Sequence, residues 1–430
     1  MRSRPRSGIP ALQVMEDGNF RTLWYVQLIV ELCRRLELLV LGILIYQQTS
    51  SPFQLGLILV FNYLPKTVLS PFCGALADRF SRHRILMLAQ GLNIGAAGAI
   101  CLLIVAGLLE PWHVYLATAV QGVSWAVQEP ARRTAIFDIV GQGRLLNAVS
   151  LEQVSTTGGK LIGPLLGGVL VGLAGYQWAY ATVVALHAVA LAMLAFVVLP
   201  PVTRAMASET VLRGLAEVTR YTFRSPMLLG TLYVIVLMNA LGFPVEQFVP
   251  AIGKDELKVG PVLVGLLVSA LAMGQITAAA AMAFMRIDRN HGRLLMLGSL
   301  VVLVMGLMLA WSPVYALSFA VFAVSGCGQA CFGTMQGTMT LLWAPPDMRG
   351  RMMGLRSVCI GTGAPLGAIQ IGLVATALGT PWAISTSSLA GILLLVPPLI
   401  LSPLVFQGLA RREGAGDPAR EMPGEGPARL

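Results

Sequence analysis

The sequence predicts an all-α integral membrane protein in which twelve transmembrane helices form two six-helix, pseudo-symmetric halves. Three observations lead there: how apolar the chain is, the length and number of its apolar runs, and a pattern that repeats between its halves. Apolar residues make up 56% of 430 residues and charged residues only 12%, with a mean hydropathy of +0.75. The 20 acidic residues are too few to dress a soluble surface of this size. A chain with more apolar side chains than an interior can hide has lipid for its solvent.

The runs have the length a bilayer demands, roughly 20 residues per helical crossing. They lie at 22–47, 53–77, 84–107, 112–134, 147–173, 177–200, 226–249, 259–285, 293–311, 314–342, 352–377 and 380–404. The first is no cleaved signal segment, because Glu31, Arg34, Arg35 and Glu37 interrupt it and eleven more runs follow. Residues 1–21 form a polar N-terminal tail, 22–200 the first six-helix bundle, 201–225 a charged linker, 226–405 the second bundle and 406–430 a Gly-, Pro- and charge-rich tail expected to stay disordered. Within the linker, "ETVLRGLAEVTRYTF" reads as a short amphipathic helix lying on the membrane face.

The net charge of +10 invites a nucleic-acid reading, but its distribution points to a membrane. With the N-terminus inside, the five inner loops and their borders hold fifteen arginines, from Arg79 to Arg351, and the six outer loops hold only Lys254 and Lys258. That bias places both termini in the cytoplasm. The six cysteines lie in or beside spans and none in an outer loop, so no disulfide framework is expected; Cys327 and Cys331 share a helix face but lack the further ligands of a metal site. No cofactor motif is present.

The halves look related. "DRFSRHRILML" (78–88) returns as "DRNHGRLLML" (288–297), after the second span of each half. "GKLIGPLLGGVLVGLAG" (159–175) has a relative in "GTGAPLGAIQIGLVATALG" (361–379), in the fifth span of each half. A parallel repeat of two six-helix units implies a cavity between them near the bilayer midplane.

Several stretches carry a family resemblance. "GALADRFSRHR" (74–84) resembles the signature loop between the second and third helices of the major facilitator superfamily, with Ser81 where a glycine is usual. "FRTLWYVQ", "YQQTSSPFQLGL", "EPARRTAIFDIV", "LLNAVSLEQV" and "MRGRMMGLRSV" are similar to the branch containing bacterial enterobactin exporters and macrolide-efflux proteins, and the likeness covers nearly all of 20–405. The first span departs from it with "ELCRRLE". The resemblance implies alternating access, in which the halves rock about a central site. It implies a gate at Asp78, facing the N-terminal end of the eleventh helix, where a carboxylate is favoured by ~0.3–1 kcal/mol. Gly74, Arg79, Arg82 and Arg84 belong to the same loop, with Arg79 and Arg82 expected to pair across the gate; the other reading is that these charges only set topology. "GGKLIGPLLGG" resembles the fifth-helix element of antiporters. Gly159, Gly163, Gly167 and Gly168 remove side chains so another helix can approach, and Pro164 bends the helix; packing without directional meaning is the alternative.

Charges at membrane depth usually face a cavity. Glu31, Arg34, Arg35 and Glu37 fall within an arc of about 160° on the first span, at spacings that let the stripe neutralise itself. Either Glu31 or Glu37 exchanges protons, or the four form a static network. Glu246 on the seventh span has no cation nearby in sequence and is either a proton site or a hydrated rim residue. Lys66 and Lys160 are expected to pair with Glu31 or Glu37, or to meet an anionic substrate. Glu129 and Glu152 read as gate charges or snorkelling ends, and His187 as a lone packing residue. The function expected is proton-coupled efflux of a small amphipathic molecule (a drug, macrolide or siderophore) by a monomer. Uptake, or translocation of a lipid or anionic metabolite, is the alternative. A membrane sensor or enzyme is the distant one, since no catalytic grouping, nucleotide loop or soluble domain is evident.

Overall fold

The computed structural model describes residues 13–199, 211–284, 291–345, 348–402 and 404, with the side chains of 71, 72, 74–79, 146, 211–213, 215, 283, 284 and 401 outside that description. The gate expected at Gly74, Asp78 and Arg79 therefore rests on side chains outside this description, and positions 288–290 of the repeated loop and the C-terminal tail lie outside the described residues altogether.

The described chain is helical. The long helices are α1 Gly18–Thr49, α2 Pro52–Arg79, α3 Arg82–Ala106, α4 Pro111–Val140, α5 Leu145–Ala174, α6 Tyr176–Ala195, α7 Val211–Arg224, α8 Pro226–Leu237, α9 Pro261–Phe284, α10 His291–Ala310, α11 Tyr315–Trp343, α12 Arg349–Leu378 and α13 Thr380–Leu394, followed by a short α14 Val396–Leu401. Ten helical segments among the described residues are long and apolar enough to cross a membrane. The two further long helices among them are α1, which carries the charged stripe, and α4, which carries Gln121, Ser124 and Gln128. Large apolar side chains face outward, such as Leu102, Val105, Leu173 and Phe196. That surface suits acyl chains and not water.

Local chemistry sets several boundaries. Asp17 caps α1 by accepting from the N–H groups of Asn19 (2.9 Å) and Phe20 (3.0 Å), so the helix starts four residues before the apolar run at 22. Val14 and Phe20 are buried beside Ile136 and Val140, so the end of the nominal tail is folded into the first bundle. The α5–α6 and α12–α13 turns both use a left-handed glycine, Gly175 (φ 87°) and Gly379 (φ 92°), at matching places in the repeat. The linker helix α7 is amphipathic as its pattern predicts, and Glu217 ties it to Arg351 on α12 at 2.6 Å. The last span is interrupted at Leu395, where Pro397 and Pro398 restart it as α14.

The seventh span is broken more deeply. After α8 the backbone passes through a π turn (Met238–Gly242), a 3-10 stretch (Phe243–Phe248) and a second π turn (Ile252–Glu256). Gly242, Pro244 and Pro250 explain the break, because proline cannot donate to the helical ladder. Irregular winding at membrane depth is tolerated where it is buried in protein or lines a cavity.

Pairings repeat between halves. α1 packs on α5 and α6 as α8 and its continuation pack on α12 and α13, and α2 packs on α4 as α9 packs on α11. The halves meet through α2 against α12 and α5 against α9. Two ends can be told apart: an arginine-bearing end, with the α2–α3 and α4–α5 turns and α7, and an opposite end, with the α1–α2, α5–α6 and α12–α13 turns. At the opposite end one apolar core spans both halves, joining Ile45, Leu55 and Ile58 to Phe248, Leu267 and Ile371. Toward the arginine-bearing end the cores are separate, one around Leu23, Leu86 and Leu194 and one around Leu295, Phe332 and Met352. The bundles therefore close at the opposite end and part toward the arginine-bearing end.

Candidate functional site

A cavity of about 880 Å³ lies between the halves, where they part. Pockets for drug-sized ligands run to roughly 300–1,000 Å³. One wall, from α1, α2 and α5, presents Arg34, Arg35, Tyr63, Gln153 and Lys160. The other, from α8 to α12, presents Phe243, Val268, Leu271, Ile276 and Phe332, with Glu246 and Arg356 as its charges. The cavity is thus cationic on one side, while the other mixes apolar side chains with amides such as Gln275, Gln329 and Gln336.

The α1 stripe neutralises itself as its spacing predicts, with a change of partners. Glu31, 4% exposed, takes a two-pronged contact from Arg34, with Nε at 3.1 Å from Oε2 and Nη2 on Oε1. Arg35 Nε donates to the same carboxylate at 3.3 Å. Arg35 also reaches across the halves, its Nη1 3.9 Å from Glu246 Oε1, so Glu246 stands at the cavity and has a cation there. Glu37 leaves the stripe: it turns into the first bundle, where its Oε2 lies 3.8 Å from His187 Nε2 on α6.

The lysines do not meet Glu31 or Glu37. Lys66 pairs with Glu129 on α4 at 3.3 Å and sits over the Trp125 ring, whose centroid is also 4.1 Å from the Arg34 guanidinium. Cation and ring face attract each other, so Trp125 spaces two like charges while binding both. Lys160 reaches across to Gln275 Oε1 on α9 at 3.5 Å, and Gln275 donates to Gln329 at 2.8 Å. Arg132 pairs with Glu152, tying α4 to α5. Arg82 pairs with Asp138 on α4, within its own half and not across the halves, and Arg84 is exposed.

The small residues of α5 have two faces. A Cβ on Gly159 would lie 2.7 Å from Glu31 Cγ, and one on Gly163 the same distance from Arg35 Cβ. Gly167 continues this face against Leu36 and Val40. Bare backbone here lets α1 come close enough to present its charges. Gly168 faces α9: a Cβ there would lie 2.4 Å from the Pro261 carbonyl oxygen, and Gly265 meets the Pro164 carbonyl in the same way. This second face closes the opposite end, helped by Tyr46 donating to Asp255 and by Lys254 reaching Ser50 Oγ at 3.3 Å.

His187 and Arg356 carry more than their sequence context suggests. Arg356 lies inside the apolar run 352–377, so a search for charge at membrane depth finds it. His187 shows its role only through partners on other helices.

This fold, with a charged cavity between two helical bundles, is that of a transporter of the major facilitator superfamily and not of an enzyme. The chain belongs to the family described as "Transmembrane secretion effector", whose sequence profile matches residues 10–410. It is 27% identical over 383 residues to the enterobactin exporter EntS of Escherichia coli O1:K1, covering 86% of this chain and 90% of that protein. With the Citrobacter koseri EntS the figures are 29% over 404 residues, 89% and 92%. Among solved structures, the nucleoside transporter NupG (D323A mutant) superposes with a TM-score of 0.72 at 14% identity, covering 89% of this chain and all of that one. An inward-facing, occupied bacterial homologue of the lysosomal transporter Spinster gives 0.72 at 14%, covering 92% and 97%. Those two likenesses concern the fold alone.

Proposed function

We propose that this protein exports small amphipathic, siderophore-like molecules from the cytoplasm across the inner membrane, in exchange for protons. The observation that carries the reading is the two-faced cavity opening toward the arginine-bearing end. Arginine excess marks the cytoplasmic side, so the cavity is in the state that loads from inside, with both termini inside as well. Arg34, Arg35, Lys160 and Arg356 supply donors for an oxygen-rich head, while Phe243, Leu271, Ile276 and Phe332 receive an apolar body. The enterobactin exporters among its relatives support a ligand of that kind. One chain supplies both walls, so the working unit is a monomer. The carboxylates at membrane depth, Glu31, Glu37 and Glu246, are the candidate proton carriers.

Everted vesicles containing the protein, given labelled enterobactin and an inward-acidic gradient, test this reading. The expected result is accumulation that an uncoupler abolishes. Accumulation unaffected by the uncoupler contradicts proton exchange, and none above vesicles lacking the protein contradicts the ligand class.

A further inference from the structure

We propose that Glu37 is a proton-binding site of this transporter, held in a polar pocket inside the first bundle by two positioning residues, His187 and Gln90. The proposal deepens the proton-exchange reading above and rests on it. The pocket is distinct from the central cavity: about 40 Å³, and lined by side chains from α1, α3, α4 and α6. Arg34 lines both spaces and is the partition between them.

Glu37 and His187 are each 2% exposed. Among the described residues Glu37 Oε1 and His187 Nε2 have no hydrogen-bond partner, and both side chains line the pocket. Buried polar atoms left unpaired are expensive, and such a pair inside an apolar bundle calls for a function. The space admits water, which needs about 10–15 Å³ of such volume per molecule and polar partners around it. Asn93, Gln121 and Ser124 add polar groups to the same walls.

The hydrogen bonds of Gln90 fix which imidazole nitrogen carries the proton. Gln90 Nε2 lies 3.0 Å from the His187 carbonyl oxygen, an obligatory acceptor, so that atom is the amide NH₂. The same nitrogen lies 2.9 Å from His187 Nδ1, which must then accept. Neutral His187 therefore carries its proton on Nε2, facing Glu37. A second proton on Nδ1 would confront the amide hydrogens of Gln90. The pocket's exchangeable proton is thereby directed to the Glu37 carboxyl, and His187 Nε2–H can donate to it in either charge state.

The other groups around Glu37 agree. On α1 itself, Arg34 is engaged by Glu31, and Cys33 lies one turn away. On α6, Tyr180 is fully buried with its hydroxyl unpaired. On α4, Glu129 and Arg132 line the pocket but pair with Lys66 and Glu152. On α3 the pocket residue is Asn93, with Cys101 further along the helix. α5 meets this stretch of α1 through Gly163 and Gly167. Glu246 and Lys160 stand on the other face of α1, beside Arg35 and the cavity. A proton arriving at Glu37 forms an O–H bond on the carboxylate, and one leaving returns to the pocket water; no other bond changes.

Infrared spectroscopy of the purified full-length protein through a pH titration tests the assignment. The expected result is a carboxylic-acid C=O band in the wild type that is lost in Glu37→Gln and whose midpoint shifts in His187→Gln and Gln90→Leu. Should Glu37→Gln fail to fold, His187→Gln carries the test, because it leaves the carboxyl in place. A band unchanged in every variant that folds overturns the proposal. In everted vesicles, Glu37→Gln is expected to lose gradient-driven enterobactin accumulation relative to its own counterflow rate; equal loss of both overturns the coupling role. Wild-type vesicles that ignore the gradient refute proton exchange itself, while the infrared band still decides whether Glu37 binds a proton.

Discussion

Replacing Glu31 with Gln is expected to cost about 3–5 kcal/mol of stability, the range for breaking a buried ion pair by removing one partner. Its carboxylate is 5% exposed and answers two guanidiniums, Arg34 and Arg35, at 15% and 20% exposure. Glutamine keeps an acceptor oxygen but not the charge, so among the described residues Arg34 is left with the Trp125 face and Arg35 with the longer contact to Glu246 as their remaining electrostatic partners. The neighbouring helix offers no compensation, because Gly159 and Gly163 present bare backbone there. Thermal unfolding in detergent reads the effect. A smaller loss is expected for Glu246→Gln, whose side chain is 31% exposed at the cavity. A double variant, Glu31→Gln with Arg34→Met, is expected to recover part of the loss, since it leaves one fewer unpaired charge. Equal melting of Glu31→Gln and the wild type contradicts the network described.

Gly168→Val is expected to drive the opposite end apart. Even the first carbon of the new side chain would lie 2.4 Å from the Pro261 carbonyl, which is backbone and cannot swing aside. Overpacking of this kind costs about 1–3 kcal/mol, borne only by the conformation in which α5 and α9 touch. About 1.4 kcal/mol shifts a two-state equilibrium tenfold, so the variant should favour the state open at the opposite end. Spin labels at Gln48 and Glu256 report the separation of that end; a longer distance in Gly168→Val than in the wild type is expected, and an unchanged one argues against α5–α9 contact as the closure. Gly167→Ala serves as the contrasting case, since its neighbours are Leu36 and Val40 of the same half, at 3.2–3.3 Å.

What the sequence shows of this site follows from how far apart the interacting residues are. The pairs of Glu31 with Arg34 and Arg35 are legible because three- and four-residue spacings meet on any helix. The partner of Glu37 is not, because the same spacing rule offers it Arg34, and the choice of His187 depends on α6 docking beside α1. Lys66 reaches Glu129 and not Glu31 for the same reason: the α2–α4 packing decides it. The cation that serves Glu246 lies more than two hundred positions away, across the interface between halves. The bundle of membrane-length helices and the repeat between halves are legible because lipid forces length and hydropathy on every crossing, whereas the π and 3-10 winding after Leu237 is not. Gly242, Pro244 and Pro250 announce a break, and the packing of Pro250 against α1 and of Pro244 against α12 determines its form.

In the function proposed above, one cavity, loaded from the arginine-bearing end as the cytoplasmic one, receives the ligand. The most direct test of this is a single Gln153→Cys in a protein whose six native cysteines are replaced, labelled with a membrane-impermeant maleimide. Gln153 lines the cavity and is exposed. Labelling is expected in everted vesicles, with little in right-side-out vesicles, and enterobactin is expected to protect the cysteine. Labelling chiefly from the right-side-out face, or labelling that enterobactin leaves untouched, would contradict that function.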